Sequence, residues 1–86
     1  RMNDFVDFAG RMIWCDMTDK DGNVLLDAAG KPRQHEVFNF GKYRGWDVAE
    51  VLHKDPGYYS WMLASDFTYN TKQVLTRIRL REFNNK

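Results

Sequence analysis

Cysteine is nearly missing from this sequence of 86 residues: Cys15 stands alone, so no internal disulfide can form. A reducing, cytoplasmic setting is the expectation that follows. Long apolar runs are missing too. None approaches the roughly 20 residues that a membrane-spanning helix needs, and no secretory signal pattern is visible. A large excess of one charge is also lacking. The formal net charge is +1, which excludes the strongly basic class of nucleic-acid binder and leaves room only for weak or auxiliary contact. The two histidines, His35 and His53, fall in different elements with no neighbours that would complete a metal cluster.

Aromatic side chains are plentiful instead: three Trp, four Tyr and six Phe. They recur along the whole length, which argues against disorder and compensates for a core that is marginal in so small a domain. One domain over residues 1–86 is expected. Because it starts at Arg1 rather than a methionine, it is expected to be a fragment of a longer chain. Charge is unevenly spread. Residues 1–36 carry five Lys/Arg against seven Asp/Glu (−2), and residues 37–86 carry eight against five (+3). The positive half holds the Lys-Tyr-Arg turn discussed below.

Taken in order, residues 3–10 are expected to be a frayed turn, with Phe5, Val6 and Phe8 available to pack. Met12 to Cys15 are β-tolerant and follow a glycine. Asp19-Lys20-Asp21-Gly22 is a tight-turn signal, Val24-Leu25-Leu26 a short second strand, and Ala28 to Pro32 a second turn. Gln34 to Phe40 reads as a third strand. Asp16, Asp19 and Asp21 beside Gly22 and Asn23 invite a calcium reading, but the spacing refuses it. Aligning Gly22 with the glycine of an EF-hand loop puts Met17 at the first ligand position and Ala28 at the last, where a glutamate is required. A polar hairpin turn is the simpler account.

Helical periodicity begins after Gly45. Asp47 and Glu50 form a capping-box pair, and Val48, Val51 and Leu52 share one apolar face. Asp55-Pro56 restarts a helix, the Asp as N-cap and the Pro at the first helical position. There Tyr58, Trp61 and Met62 share a face, with Tyr59 and Leu63 beside it. Asn70 with Gln73 suggests a third cap, and Thr71, Val74, Leu75 and Ile78 the buried stripe of a third helix. The expectation is an α+β fold. A small three-stranded antiparallel meander, with strands near 11–17, 23–27 and 34–40, is followed by three short helices packed on one face.

Val37-Phe38-Asn39-Phe40-Gly41-Lys42-Tyr43-Arg44-Gly45, then Val48-Ala49-Glu50-Val51-Leu52, Asp55-Pro56-Gly57-Tyr58-Tyr59-Ser60-Trp61-Met62-Leu63, Asp66-Phe67 and Thr71-Lys72-Gln73-Val74-Leu75 form an ordered series. The series resembles the small C-terminal accessory domain of 3′–5′ exonucleases of the exodeoxyribonuclease X and DNA polymerase III epsilon-subunit type, notably from Bacteroidetes-like bacteria. The likeness covers roughly residues 5–81. Two departures stand out: the family's hairpin is usually shorter than Asp16 to Gln34, and it tends to have proline where Thr68 follows Asp66-Phe67. The resemblance implies a non-catalytic accessory module in replication or repair. It implies no cofactor in this domain, with a divalent metal confined to an N-terminal nuclease domain of the same chain. The implied partners are that domain and DNA, single-stranded or a primer end.

Phosphate binding needs positive side chains or backbone amides on an exposed turn, and base stacking needs a flat ring beside them. Gly41 to Gly45 offers all of these; the plain alternative is that the glycines only shape the turn and Tyr43 packs on the core. Lys72, Arg77, Arg79 and Arg81 extend the positive surface or form a solvated helix face. Tyr58, Tyr59 and Trp61 look like a stacking platform, yet so small a core needs rings, and Trp61 is read as core, Tyr59 less so. Trp46 is the least explained aromatic and a candidate for exposure. The candidate nucleic-acid-binding set is Lys42, Tyr43, Arg44, Trp46, Tyr59, Lys72 and Arg77. No catalytic or metal residue is assigned. Asp47, Glu50 and Asp55 serve as caps, and Cys15, without an activating base, reads as a buried thiol. A second function class stays open: a protein-docking or self-association module with no direct DNA contact.

Overall fold

In the computed structural model, which describes residues 4–84, β1 (Met12–Asp16) and β2 (Gln34–Phe38) are followed by a 3₁₀ turn (Gly41–Tyr43), α1 (Val48–Lys54), α2 (Pro56–Ala64) and α3 (Tyr69–Asn84). Asn3, where the expected opening turn begins, and the two ends of the 1–86 range lie outside the described residues. The fold is α+β, but the sheet has two strands, not three. β1 and β2 pair antiparallel, with Met12 opposite Phe38 and Asp16 opposite Gln34. The third helix is not short either, at 16 residues.

The expected strand at 23–27 fails for a local reason. Asp19-Lys20-Asp21-Gly22 and Asp27-Ala28-Ala29-Gly30 each build the same loop. Asp19 Oδ1 accepts from the N–H groups of Asp21 and Asn23, and Asp27 Oδ1 from those of Ala29 and Lys31. Gly22 and Gly30 sit at φ +86° and +81°, where a side chain would be strained. The chain therefore reverses twice within a few residues, and only the isolated pairings Thr18–Val24 and Leu26–Pro32 form. Aspartates that hydrogen-bond the backbone ahead of them offer it an alternative to a ladder. At the base of the two loops, Met17 N–H donates to Arg33 O, Arg33 N–H to Leu25 O and Leu25 N–H to Met17 O, closing a three-membered backbone ring.

The opening segment is not a frayed turn. Phe5 bridges to Ile13, Val6 N–H donates to Met12 O and Trp14 N–H to Asp4 O, so these residues line the free edge of β1. Of the three expected packers only Val6 joins the core; Phe5 is exposed and Phe8 is 88% exposed. The segment is anchored by Asp7, itself only 1% exposed. Asp7 accepts from Met12 N–H at 2.9 Å and from the Thr71 hydroxyl of α3.

Three caps were expected, and at one of them, the Asp47–Glu50 capping box, the Asp47 half forms. Asp47 Oδ1 accepts from Glu50 N–H at 2.8 Å, and its other oxygen bonds His35 Nδ1. Asp55 occupies the N-cap position of α2 with Pro56 behind it, but its side chain makes no cap bond. At α3 the cap is Thr68, whose Oγ1 accepts from Thr71 N–H, while Asn70 turns away to accept from Phe8 N–H at 2.7 Å. A proline at 68 would have no such oxygen to offer.

α1 packs against β2, α2 and α3, and so sits at the centre. Met12, Phe38, Val48, Val51, Leu52, Tyr58, Met62, Val74, Leu75 and Ile78 form the buried cluster. The expected stripe of α1 is wholly in it, and that of α3 contributes Val74, Leu75 and Ile78, with Thr71 buried outside the cluster. Across one side, Glu36, almost fully buried, accepts from Arg81 Nη1 and Nη2 at 2.8 and 3.1 Å. Those bonds push the guanidinium pKa up, so Arg81 keeps its charge at any ordinary pH.

Candidate nucleic-acid interface

Phe38 ends β2 in the core, and the chain must then climb to the surface and come back to begin α1. It does so as a closed loop: Gly45 N–H donates to Phe38 O at 2.8 Å and Phe38 N–H to Trp46 O at 2.9 Å. Gly41 and Gly45 take φ +66° and +88°, so both are needed for the turn itself. Between them Lys42 and Arg44 are exposed, and Tyr43 is half-buried. Tyr43 donates its hydroxyl to Asp55 Oδ2 at 2.7 Å. Asp55 is thus spent on holding the turn against α2 rather than on capping it.

That hydrogen bond, with burial and the nearby negative charge adding to it, raises the Tyr43 pKa above the ordinary tyrosine value. A raised value means that the folded protein grips the proton. The contact's contribution to stability is complete below about pH 10, the unfolded value, and is lost as pH rises through the folded one. Burial raises Tyr58 as well, so an alkaline titration of tyrosinate absorbance should show two late steps, one of which is missing in Tyr43→Phe. A Tyr43→Phe protein that keeps every late step would break the assignment.

Around the turn the aromatics are linked, mostly edge to face, with Phe40–Phe67 and Tyr58–Trp61 tilted at 58° and 31°. Phe38, Phe40, Phe67, Trp61 and Tyr58 close a ring of contacts with centroids 5.2–5.9 Å apart, and Tyr43 and Trp46 continue from Tyr58 at 4.8 and 5.5 Å. Such pairs add to burial through the opposite charge of ring face and edge. The inner members are buried. Trp61, expected in the core, is 51% exposed, and Trp46 is 36% exposed, as its lack of a packing role suggested. Helical spacing placed Trp61 beside Tyr58, but α2 buries Tyr58 and Met62 and tips Trp61 outward.

Three cations frame this face. The Arg11 guanidinium lies 5.4 and 5.7 Å from the rings of Phe40 and Phe67, Lys42 Nζ 5.2 and 5.8 Å from Tyr43 and Tyr58, and Lys54 Nζ 5.0 Å from Trp46. Arg11 and Lys54 escape the sequence reading, because no spacing rule brings the start of β1 and the end of α1 to the same face, whereas the sequence offers Trp61 for a stacking platform but reads it as core. A cleft of about 480 Å³ opens between the turn and the start of α2, lined by Phe40, Gly41, Lys42, Asp55, Gly57, Tyr58 and Trp61.

Lys42, Tyr43, Arg44 and Trp46 are therefore together, while the other candidates lie elsewhere. Tyr59 packs toward α3, its hydroxyl 3.2 Å from Thr76 Oγ1 and its ring 4.9 Å from the Arg79 guanidinium. Lys72 and Arg77 line a separate groove with Leu63, Tyr69 and Leu80. Among the described residues no group of three His, Cys, Asp or Glu side chains is placed to bind a metal ion. Cys15 is partly buried, and burial, reinforced by Asp16, pushes its thiol pKa up, away from nucleophilic use.

Comparison with known proteins isolates the same segment. Residues 38–66 match the exodeoxyribonuclease X-like C-terminal family. Over 38 residues the chain is 45% identical to exodeoxyribonuclease 10 of Escherichia coli strain K12, an alignment covering 44% of this chain and 17% of that protein. The same figures hold for exodeoxyribonuclease 10 of an O6:H1 strain of Escherichia coli. The aligned part is thus under a fifth of the length of these relatives. No solved structure matches the chain significantly.

Proposed function

We propose, from the exodeoxyribonuclease X-like C-terminal segment that this chain carries over residues 38–66, that it is a non-catalytic accessory module of a DNA 3′–5′ exonuclease. Its task is to bind DNA, single-stranded or at a primer end, and so to position a nuclease domain whose divalent metal does the chemistry. One observation carries this reading. Phe40, Tyr43, Trp46, Tyr58 and Trp61, with Lys42 and Lys54 over their rings and Arg44 exposed on the same turn, fall inside the matched segment and build most of one cation-framed aromatic face, which Arg11 completes from outside it. Stacking rings beside phosphate-seeking cations is how single strands are gripped without sequence preference.

The test is a fluorescence titration of labelled single-stranded DNA at two salt concentrations. Three or four cations in contact with phosphate give a fall of log K with log salt of slope about −2 to −3. Lys42→Ala/Arg44→Ala should weaken binding at low salt and flatten that slope by roughly 1.4. Absence of binding at low ionic strength would refute the DNA reading. Protein docking is then the reading to pursue, favoured by the separate groove beside α3, where Tyr69 and Leu80 are exposed.

A further inference from the structure

We infer that the aromatic face is a track for about four nucleotides of single-stranded DNA, with one base stacked on Trp61 and another on Trp46. This rests on the nucleic-acid reading above and assigns it a footprint and two stacking stations. The two tryptophans are the exposed rings of the linked series, whereas Tyr58 between them is buried and Tyr43 half-covered. Steps of 5.2, 4.8 and 5.5 Å, through Tyr58 and Tyr43, limit their separation to roughly 16 Å. At the ~3.4 Å rise per nucleotide of a stacked strand, that span takes at most about five nucleotides, and fewer when the strand is stretched.

The cations follow the same line. Arg11 lies over Phe67, which touches Trp61; Lys42 lies over Tyr43 and Tyr58 in the middle; Lys54 lies over Trp46 at the other end. Trp46 thus has a positive charge on its ring, Trp61 has one a ring away across Phe67, and a third lies between them. Asp55 fixes which side of the strand faces inward. It lines the cleft together with Trp61, and the carboxylate oxygen that does not hold Tyr43 repels phosphate but accepts from amino groups on a base edge. The base on Trp61 turns into the cleft, and the sugar-phosphate runs outside, past the cations.

The test is binding of labelled oligodeoxycytidylates, whose bases carry an amino group, of two, four, six, eight and twelve nucleotides to the intact chain at low salt. Affinity should rise steeply to four or five nucleotides and then climb only with the number of overlapping positions. Trp61→Ala and Trp46→Ala should each weaken binding of the four-nucleotide probe by roughly five- to a hundredfold, with Trp→Phe keeping most of it. Arg11→Ala and Lys54→Ala should each take about 0.7 off the salt slope. Circular dichroism checks that the variants fold. Long DNA that binds without a length plateau, or that ignores both Trp→Ala changes, overturns the track and spares the DNA reading. Failure of every probe, the longest included, removes both.

Discussion

Phe38→Ala is expected to remove roughly a quarter to all of the domain's stability. Phe38 is fully buried, lies opposite Met12 in the sheet, and meets the rings of Phe40 at 5.9 Å and Tyr58 at 5.5 Å. It is where the sheet, α2 and the aromatic face join. Truncating a buried Phe costs about 3–5 kcal/mol, part transfer and part cavity. A domain of this length has a total stability of only about 4–13 kcal/mol. Urea unfolding followed by circular dichroism measures the loss. A cost under ~1 kcal/mol would mean that neighbouring rings collapse into the space and that the site is not tightly packed.

Asp7→Ala should have the next largest effect, with a cost of about 2–4 kcal/mol. The carboxylate joins the Met12 N–H on β1 to the Thr71 hydroxyl on α3, residues 64 positions from Asp7 in the second case. Met12 and Thr71 are both fully buried, so neither donor finds water once the carboxylate is gone. Thr71→Val alone should cost less, because Asp7 keeps the Met12 N–H. In the Asp7→Ala background Thr71→Val should cost less still, since it removes a buried hydroxyl that is left with Thr68 Oγ1 as its partner. Strictly additive losses in this double-mutant cycle would show that the two side chains do not act on each other.

Much of this arrangement is legible in the residue order, and the exceptions have physical causes. Asp47 as a cap, the break at Asp55-Pro56 and the buried stripes of α1 and α3 are local patterns, and the structure keeps them. The strand at 23–27 misleads because Val24-Leu25-Leu26 has strand chemistry but sits between two aspartate-glycine loops that turn the chain first. Asp7 is invisible for another reason: a carboxylate near the chain start reads as surface until α3 arrives to cover it. The candidate interface divides the same way. Lys42 to Trp46 could be read as one turn, whereas Tyr59, Lys72 and Arg77 share its chemistry but not its face. Arg11 and Lys54 join the face only through tertiary contact, which no periodicity encodes.

The ring of bonds among Met17, Leu25 and Arg33 has a consequence for how this chain can change length. No residue from 17 to 33 belongs to the buried cluster, and the insertion closes on itself through its own backbone. Its two ends emerge at Asp16 and Gln34, which already face each other as the last pair of the sheet and are linked by a side-chain bond of 2.9 Å. The double loop is therefore a pendant: sequence can be cut from it or spliced into it without the register of β1 and β2 having to move. It marks the natural attachment point for a tag or a grafted peptide.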